Sequence, residues 1–388
     1  MGSSKGHALL SPSGAEKWIN CPPSAKLEAR FPSRGSEYAE EGTLYHALCA
    51  MLLQIEHGSG RRSQASSLAT IKDKPLYSAE MQEHADDAIA WIKDRYEAYQ
   101  ILHGQAKIAW EHRVDLSAWV PGGYGTADIV IQAGDTLEIV DLKYGAGVLV
   151  PAARNPQLML YALGAMSDLT IPVQVQTVIM TIYQPRRGHI DSEQMAAADL
   201  LAWADSTVRP AAALAALGRG EHKTGDHCRW CRAKGVCKAR ADDALGALRY
   251  ETVDPALLPM DELGALIHVA EKLGRWAKDV KDYADMIALE GAEIPGWKLV
   301  EGRSNRTITD KDAAYKILLG QEKDRGKFIR PAELLGLTAL EKNFGKKGLA
   351  GLIGGLIKKP QGRPVLVPDS DPREKLGSPE EAMEGIPF

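Results

Sequence analysis

A short stretch of the 388-residue chain gathers residue types that can do chemistry on a phosphate. The run from Gly125 to Asp128 is followed by Asp141-Leu142-Lys143, and then by Gln157 and Tyr161. The two acids can hold a hard divalent cation through oxygen. Such a cation stabilises charge that builds on a phosphate and lowers the pKa of an attacking water. The lysine can orient or deprotonate that water, or offset charge in the transition state. This set suits metal-dependent cleavage of a phosphodiester.

Three predicted strands would position the two acids. Lys107 to Leu116 is the first. Ala127 to Ile131 and Leu137 to Leu142 are β-branched runs separated by a Gly-Asp turn signal, which predicts a hairpin. In that hairpin Asp128, near the start of one strand, faces the end of the other strand, which carries Asp141.

A helix is predicted to follow, from about Pro156 to Met166. Gln157 and Tyr161 are four residues apart on it and share a face. Asp141 and Lys143 are two apart and project from the same face of their strand. Each pair alone is typical of an ordinary protein surface, but their conjunction in this order and at these spacings predicts a functional site.

These motifs resemble the PD-(D/E)xK nuclease superfamily, in its RecB-like branch. The pattern there is Gly-x-x-x-His on a helix, Gly-x-x-Asp, Asp-x-Lys and Gln-x-x-x-Tyr, and the run from Gly42 to His46 supplies the first element. The resemblance implies an α/β fold with a restriction-endonuclease-like core, a mixed central sheet flanked by helices. It implies four metal ligands: His46, Asp128, Asp141 and the carbonyl of Leu142.

The same resemblance makes Lys143 the catalytic lysine and places Gln157 and Tyr161 beside the DNA or the active site. Glu111, on the preceding strand, could add a carboxylate that the family does not fix, although a strand-surface glutamate is the commoner role. The oxygen-rich set suits Mg²⁺ or Mn²⁺ without choosing between them.

Cysteine placement is the second signal. The five cysteines are Cys21, Cys49, Cys228, Cys231 and Cys237. The last three form C-x2-C-x5-C, which favours a metal over a redox pair. Zinc would accept His227 or His222 as a fourth ligand, whereas an iron–sulfur cluster would prefer a fourth cysteine. Disulfides are the remaining alternative.

Cys21 can be that fourth cysteine. In iron–sulfur members of the RecB-like branch, such as AddB, one cysteine before the histidine motif and three after the core clamp a [4Fe–4S] cluster. The arrangement here is similar, with Cys21 as the first ligand. The clamp would close a loop of about 210 residues, a constraint on the order of several kcal/mol. Cys49 is predicted to be a buried thiol that packs as a small hydrophobe.

Charge and hydropathy limit the class of protein and its expected location. The net charge of −4 argues against a strongly basic nucleic-acid coat protein and leaves a nuclease possible. Met1 to His7 lacks the apolar core of a secretory signal, and no run reaches the length of a membrane span. We therefore expect no membrane partner and a cytoplasmic location, in the host cell if the chain is phage-encoded.

Three regions are predicted. Residues 1–241 would be the nuclease core with its cysteine clamp, 242–363 a helical and locally basic region, and 364–388 an acidic disordered tail. Gln321 to Arg363 carries ten Lys or Arg against four Asp or Glu, interleaved with Phe328 and Phe344, which indicates DNA contact. The ending Glu384 to Phe388 resembles the acidic tip of bacterial single-stranded-DNA-binding proteins and would dock a replication or recombination partner, or else be only a solvated end.

The predicted function is therefore a metal-dependent DNA exonuclease. The whole chain resembles a bacteriophage-encoded family placed in replication or recombination modules, so the enzyme would process DNA ends there. The alternative is a DNA-binding or scaffolding protein in which catalysis is secondary or lost.

Overall fold

A computed structural model describes the chain over residues 8–32, 35–57, 61–168, 174–246, 259–302, 306–321, 327–330, 333–359, 364–368 and 371–376. Two compact units divide it, Met1–Leu263 and Gly264–Phe388. The boundary predicted after residue 241 and the one after Leu263 lie on either side of residues 247–258, which are outside the described ranges.

A five-stranded mixed sheet runs through the first unit, with its strands in chain order. Its members are β1 (Ala106–Asp115), β2 (Tyr124–Ala133), β3 (Thr136–Leu142), β4 (Thr177–Gln184) and β5 (His189–Ala196). Strand β3 runs parallel to β4, and the other neighbours are antiparallel. The predicted hairpin is confirmed, since Ala133 pairs with Thr136 across a two-residue turn.

Helices flank this sheet. They are α1 (Ala15–Asn20), α2 (Ser24–Glu28), α3 (Glu37–His57), α4 (Arg61–Lys72), α5 (Ala79–His103), α6 (Pro156–Asp168), α7 (Ala197–Trp203), α8 (Arg209–Leu217) and α9 (Lys238–Leu245). The α/β prediction is thus confirmed at the level of a mixed sheet flanked by helices. Helix α7 begins directly where β5 ends, and a π-helical turn at Ala204–Val208 separates α7 from α8.

The two faces of the sheet bury separate apolar cores. Successive residues of a strand point to opposite faces. Accordingly Leu137 and Ile139 of β3 pack with α1, α6, α7 and α8, while Val140 and Leu142 pack with α3 and α5. Helix α6, which connects the parallel strands β3 and β4, therefore lies on one face, and α3 lies on the other. A site at the open end of the hairpin can draw side chains from both helices.

The second unit has its own small core. Helix α10 (Met260–Leu289) spans the boundary after Leu263, and the other elements are β6 (Trp297–Glu301), β7 (Thr307–Ile308), α11 (Lys311–Gln321), β8 (Ile329–Arg330), β9 (Glu333–Leu334), α12 (Leu337–Phe344), α13 (Lys346–Ile353), β10 (Ile357–Lys358) and β11 (Pro364–Pro368). Leu318, Phe328 and Leu340 are among its fully buried residues. Disorder was expected from residue 364 onward, but β11, a short apolar run with valines at positions 365 and 367, pairs with β6 as a two-stranded sheet. Residues 377–388, with the predicted docking tip, lie outside the described ranges.

None of the helices in the described ranges is long and apolar enough to cross a bilayer.

Candidate active site and cysteine cavity

Two carboxylates meet where the β2–β3 hairpin opens. The last paired positions of this hairpin are Ile129 and Val140, so Asp128 and Asp141 come one residue further along their strands. The backbone N–H of Leu142 donates to Oδ2 of Asp128 at 2.8 Å, which fixes the Asp128 side chain against β3. The predicted juxtaposition of the Asp128 side chain with the end of β3 is thus present. The role predicted for the carbonyl of Leu142 stays a prediction.

Gly125 makes room for the helix that completes this site. A Cβ at Gly125 would lie 2.9 Å from Cε1 of Tyr161 on α6 and 2.7 Å from Cγ of Pro12. Contacts this short do not occur in well-packed proteins, so any side chain here would push the Tyr161 ring and α6 away from β2. The glycine of the Gly-x-x-Asp motif therefore serves close approach.

His46 reaches the carboxylates from the opposite face of the sheet. It lies on α3, and its Nδ1 is 3.1 Å from Oδ1 of Asp128. Burial alone would lower the pKa of His46, but the charge and hydrogen bond of Asp128, with a contribution from Asp141, raise the pKa overall. The imidazole is thus drawn into an ionic hydrogen bond with Asp128.

Glu111 joins His46 and Asp128 through an unusual backbone conformation. Its φ is +48°, a left-handed value that non-glycine residues seldom adopt. Such a residue costs roughly 1–3 kcal/mol and persists only where its surroundings hold it, often at functional sites. The conformation turns an exposed strand residue so that His46, Glu111 and Asp128 each offer one ligand atom, all within 4.8 Å of one another. The possible extra carboxylate therefore lies at the site.

Lys143 forms an ion pair with Asp141. Its Nζ lies 2.8 Å from Oδ2 of Asp141, outside the directions of a good hydrogen bond, so this buried oxygen has an ionic neighbour but no hydrogen-bond donor among the described residues. Burial raises the pKa of Asp141, and the Lys143 ammonium opposes that shift. Burial would lower the pKa of Lys143, but the Asp141 carboxylate raises it overall. The raised pKa of Asp141 favours the neutral acid, whereas the raised pKa of Lys143 favours the ion pair. The 2.8 Å contact fits the ion pair, with Asp141 ionised and Lys143 protonated.

Gln157 connects the ion pair to α6. Its Nε2 donates to Oδ1 of Asp141 at 2.9 Å and to the hydroxyl of Tyr161 at 3.2 Å, while its Oε1 accepts from Nζ of Lys143 at 3.1 Å. Asn155 caps α6 by accepting the backbone N–H of Gln157 at 3.0 Å. Burial raises the pKa of Tyr161, so its phenol stays protonated. Gln157 is therefore a positioning residue that holds Asp141 and Lys143 together.

We call these seven residues the carboxylate site: His46, Glu111, Asp128, Asp141, Lys143, Gln157 and Tyr161.

A second cluster of ligand-type residues lines one cavity of about 330 Å³, counting the part open to solvent. We call it the cysteine cavity, and the four predicted cluster ligands all face it: Cys21, Cys228, Cys231 and Cys237. His222 and His227, the zinc alternatives, line it as well. The chain thus brings Cys21 to the three later cysteines across more than half its length.

The histidines of this cavity interact with the thiols. Nδ1 of His222 lies 4.0 Å from Sγ of Cys21. Nε2 of His227 is 3.0 Å from the carbonyl of Lys223, which can accept its N–H. Hydrogen bonds to Cys21 and Cys228 raise the pKa of His227 to about 10. Burial would raise the pKa of Cys228, but the His227 and Gly225 hydrogen bonds lower it overall, which favours a thiolate there.

Cys49 stands apart from this cavity. It lies on α3, is 1% exposed and belongs to the core beneath the sheet. Burial raises the pKa of its thiol to about 12. This agrees with the prediction of a buried thiol that packs as a small hydrophobe.

Comparison with known proteins places the chain in a family. Residues 7–374 match the family described as "Protein of unknown function (DUF2800)". The chain belongs to this family. A solved structure named "Crystal structure of SSO0001" is similar over 56% of this chain and 95% of that one, at 12% identity and a TM-score of 0.23. A TM-score this low does not establish a shared fold.

The description of the DUF2800 family assigns no function. The question is therefore whether the ligand atoms at the carboxylate site suit a metal ion. His46, Glu111 and Asp128 offer two carboxylates and an imidazole, and within the described ranges theirs are the three such ligand atoms found this close together. Asp141 is not part of this triad. Its buried Oδ2 already has the Lys143 ammonium at 2.8 Å, so the triad alone bears on this question. Two carboxylates and an imidazole fit a divalent ion.

Sequence analysis missed a support behind His46. Arg186 pairs with Glu41 at the start of α3 through both guanidinium nitrogens, and its guanidinium carbon lies 4.1 Å from the centre of the Tyr144 ring. Tyr144 in turn stacks on Tyr45, with ring centres 4.2 Å apart, directly before His46. Glu41 thus balances the charge of Arg186. The two partners are 145 positions apart, so only the fold reveals the pair.

Proposed function

We propose that this protein is a metal-dependent DNA exonuclease with a restriction-endonuclease-like core, of the PD-(D/E)xK type. The observation that carries the proposal is the convergence of Asp128, Asp141 and Lys143 at one end of the hairpin, with His46 and Glu111 beside them. Residues from three strands and two helices meet there. Burying an acid and a lysine together costs free energy of folding. Such arrangements are found mostly at functional sites.

Each residue has a role that follows from its contacts. His46, Glu111, Asp128 and Asp141 are the side chains that would hold Mg²⁺ or Mn²⁺. When bound, the ion would supply charge stabilisation at the phosphate and acidify an attacking water. Lys143 keeps its proton beside Asp141, which favours charge stabilisation over proton abstraction. Gln157 fixes the Lys143 ammonium, and the Tyr161 hydroxyl offers a neutral hydrogen bond.

For the cysteine cavity we propose a [4Fe–4S] cluster held by the four cysteines. All four thiols line one cavity, and four thiolates are the ligand set that such a cluster takes. The role of the cluster would be to tie the segment before α2 to the loop before α9.

DNA is the proposed substrate, and the second unit could contribute to holding it. Lys342, Lys346, Lys347, Lys358 and Lys359 are exposed on and between α12, α13 and β10. Phosphates of DNA attract such clusters without sequence preference. The predicted contribution of Phe328 to DNA contact is wrong. Phe328 is fully buried in the core of this unit and cannot stack on a base.

Digestion of end-labelled linear DNA and closed circular DNA, side by side and with Mg²⁺, tests the proposal. We expect nucleotides to be released from linear DNA by the wild type and not by Asp141→Asn, with the circle left intact. Nicking of the circle would make the enzyme an endonuclease. DNA binding without Mg²⁺-dependent cleavage would instead establish the scaffolding alternative. If both proteins retard the linear DNA in a gel mobility assay, both are folded and bind DNA.

A further inference from the structure

The loop between β3 and α6 begins and ends at the carboxylate site. Lys143 precedes this loop and Gln157 follows it, and Oε1 of Gln157 accepts from Nζ of Lys143 at 3.1 Å. Both of these side chains also contact Asp141. A loop whose two ends meet in this way stands beside the place where its ends lie. Residues 144–155 therefore form a rim of the carboxylate site, and we call them the rim loop.

Side chains of β4 and β5 hold the rim loop by its backbone. The buried Gln184 donates from Nε2 to the carbonyl oxygens of Gly145 and Val148, the second at 2.9 Å. Further along the loop, Oδ2 of Asp191 accepts the backbone N–H of Ala152 at 2.8 Å. These bonds fix the backbone before and after the middle of the loop. The sheet thus holds the rim loop in the arrangement that exposes its tip.

The tip of the rim loop is apolar and uncharged. Val148 and Leu149 are 38% and 48% exposed, and neither belongs to or packs against the three apolar clusters of the described residues. Residues 144–153 contain no charged side chain, in a chain of which 25% is charged. A tip that held DNA phosphates would carry Lys or Arg. The chemistry of this tip suits the apolar faces of bases instead.

We propose that Val148 and Leu149 insert at the end of a DNA duplex and unstack its terminal base pair. The proposal rests on the proposed function, since a strand whose phosphate lies at the carboxylate site places its neighbouring bases beside the rim loop. Apolar side chains that insert between base steps partially unstack them. A terminal pair stacks on one side only, so it is the pair that opens most easily. The loop would thereby select duplex ends and direct one strand to the carboxylate site.

Fluorescence of 2-aminopurine tests this contact without any cleavage. The probe base is placed in the terminal pair of a blunt duplex, at the 5′ end in one duplex and at the 3′ end in another, in buffer without divalent cations. Its emission rises when the base unstacks. Wild-type protein should raise the emission of at least one of the two duplexes. Val148→Ser/Leu149→Ser, the tip variant, should give a several-fold smaller rise at saturating protein.

Ile101→Ser/Leu102→Ser is the matched control. These two residues are also adjacent, apolar and exposed, and they lie near the end of α5. A Cβ at Gly134 would lie 2.5 Å from Nδ1 of His103, so this end of α5 packs at the closed end of the β2–β3 hairpin, away from the carboxylate site. The control should raise the emission as the wild type does. An equal loss in both variants, or no rise with the wild type, overturns the proposal.

Cleavage measures the same step where the proposed function holds. With Mg²⁺, the tip variant should release nucleotides from the blunt duplex about tenfold more slowly than wild type, a factor that corresponds to about 1.4 kcal/mol. The loss should be much smaller on a duplex whose end is opened beforehand by mismatched bases, because no terminal pair then has to be unstacked. Equal losses on the two duplexes overturn the proposal.

The two readouts separate this proposal from the proposed function. A wild type that unstacks the terminal pair and cleaves neither duplex would leave the contact of the rim loop in place and remove the nuclease. Mg²⁺-dependent cleavage without unstacking would do the reverse.

Discussion

The carboxylate site and the cysteine cavity are assembled in opposite ways. In the carboxylate site, Asp128 and Asp141 each have a basic partner at 3.1 Å or less, and the largely buried strands β2 and β3 hold these two acids in place. In the cysteine cavity, three of the four thiols come from one short segment of 3-10 turn and loop, and Cys21 is the distant exception. The first is positioned by the sheet, whereas the second lies between the junction of α1 and α2 and the loop before α9.

This difference teaches which part of the protein depends on its bound group. Removing a ligand from the carboxylate site leaves the sheet, its two cores and most of the hydrogen bonds intact. Removing a ligand from the cysteine cavity would weaken the contact between the N-terminal helices and the loop before α9 and leave only direct bonds such as that from Arg232 to Glu28, since a cluster that ties distant segments stabilises the fold itself. The proposed activity and the proposed stability should therefore respond to different substitutions.

The largest effect is expected in the carboxylate site. Asp128→Asn, Asp141→Asn and Lys143→Ala should each lower the rate of Mg²⁺-dependent DNA cleavage by at least about 10²–10³-fold, because each removes a ligand charge or a charge aimed at the phosphate. Thermal unfolding should stay cooperative and close to wild type. Cleavage of linear DNA by Asp141→Asn at near wild-type rates would break the assignment.

The cysteine cavity should show the reverse. Cys21→Ser and Cys231→Ser should both lose iron and lower the unfolding temperature of protein purified without air, although the two residues are 210 positions apart. Iron content and absorption near 400 nm measure the cluster, and calorimetry measures the stability. Stoichiometric zinc in the wild type would contradict the proposed cluster.

Cys49→Ser is the matched control for that experiment and should keep its iron.

The pKa of about 12 also predicts that the Cys49 thiol stays protonated at pH 8. Alkylation requires the thiolate, so Cys49 should resist iodoacetamide in the native protein and react once the protein is unfolded. Rapid modification of native Cys49 would mean that α3 opens far more readily than its packing indicates.

The smallest effect sharpens the comparison, because it concerns a residue that touches neither site. Arg186→Gln removes the pair with Glu41 and the cation over Tyr144, which support the start of α3 and so His46. Residues that orient ligands typically change metal affinity by about 10–100-fold, so we expect weaker Mn²⁺ binding in that range. The exposed neighbour Arg187→Gln should bind as wild type. Equal Mn²⁺ affinity of the two variants would show that Arg186 does not position His46.

Local patterns in the sequence determined much of the first unit. β-Branched runs around a Gly-Asp turn were sufficient to predict the β2–β3 hairpin, and spacing of four was sufficient to set Gln157 beside Tyr161. These succeed because hairpin register and helix periodicity depend on neighbours in the chain. The C-x2-C-x5-C spacing likewise predicted three of the cavity thiols without any knowledge of the fold.

What only the tertiary structure decided is how distant residues meet. The left-handed turn at Glu111, the pairing of Arg186 with Glu41 and the burial of Phe328 all depend on packing between segments far apart in sequence. Local residue types indicate a strand-surface glutamate at position 111, and only tertiary contacts bring Glu111 to His46 and Asp128. Side-chain chemistry and spacing fix the candidates, but the direction in which each candidate points is set by the free energy of the whole packed chain.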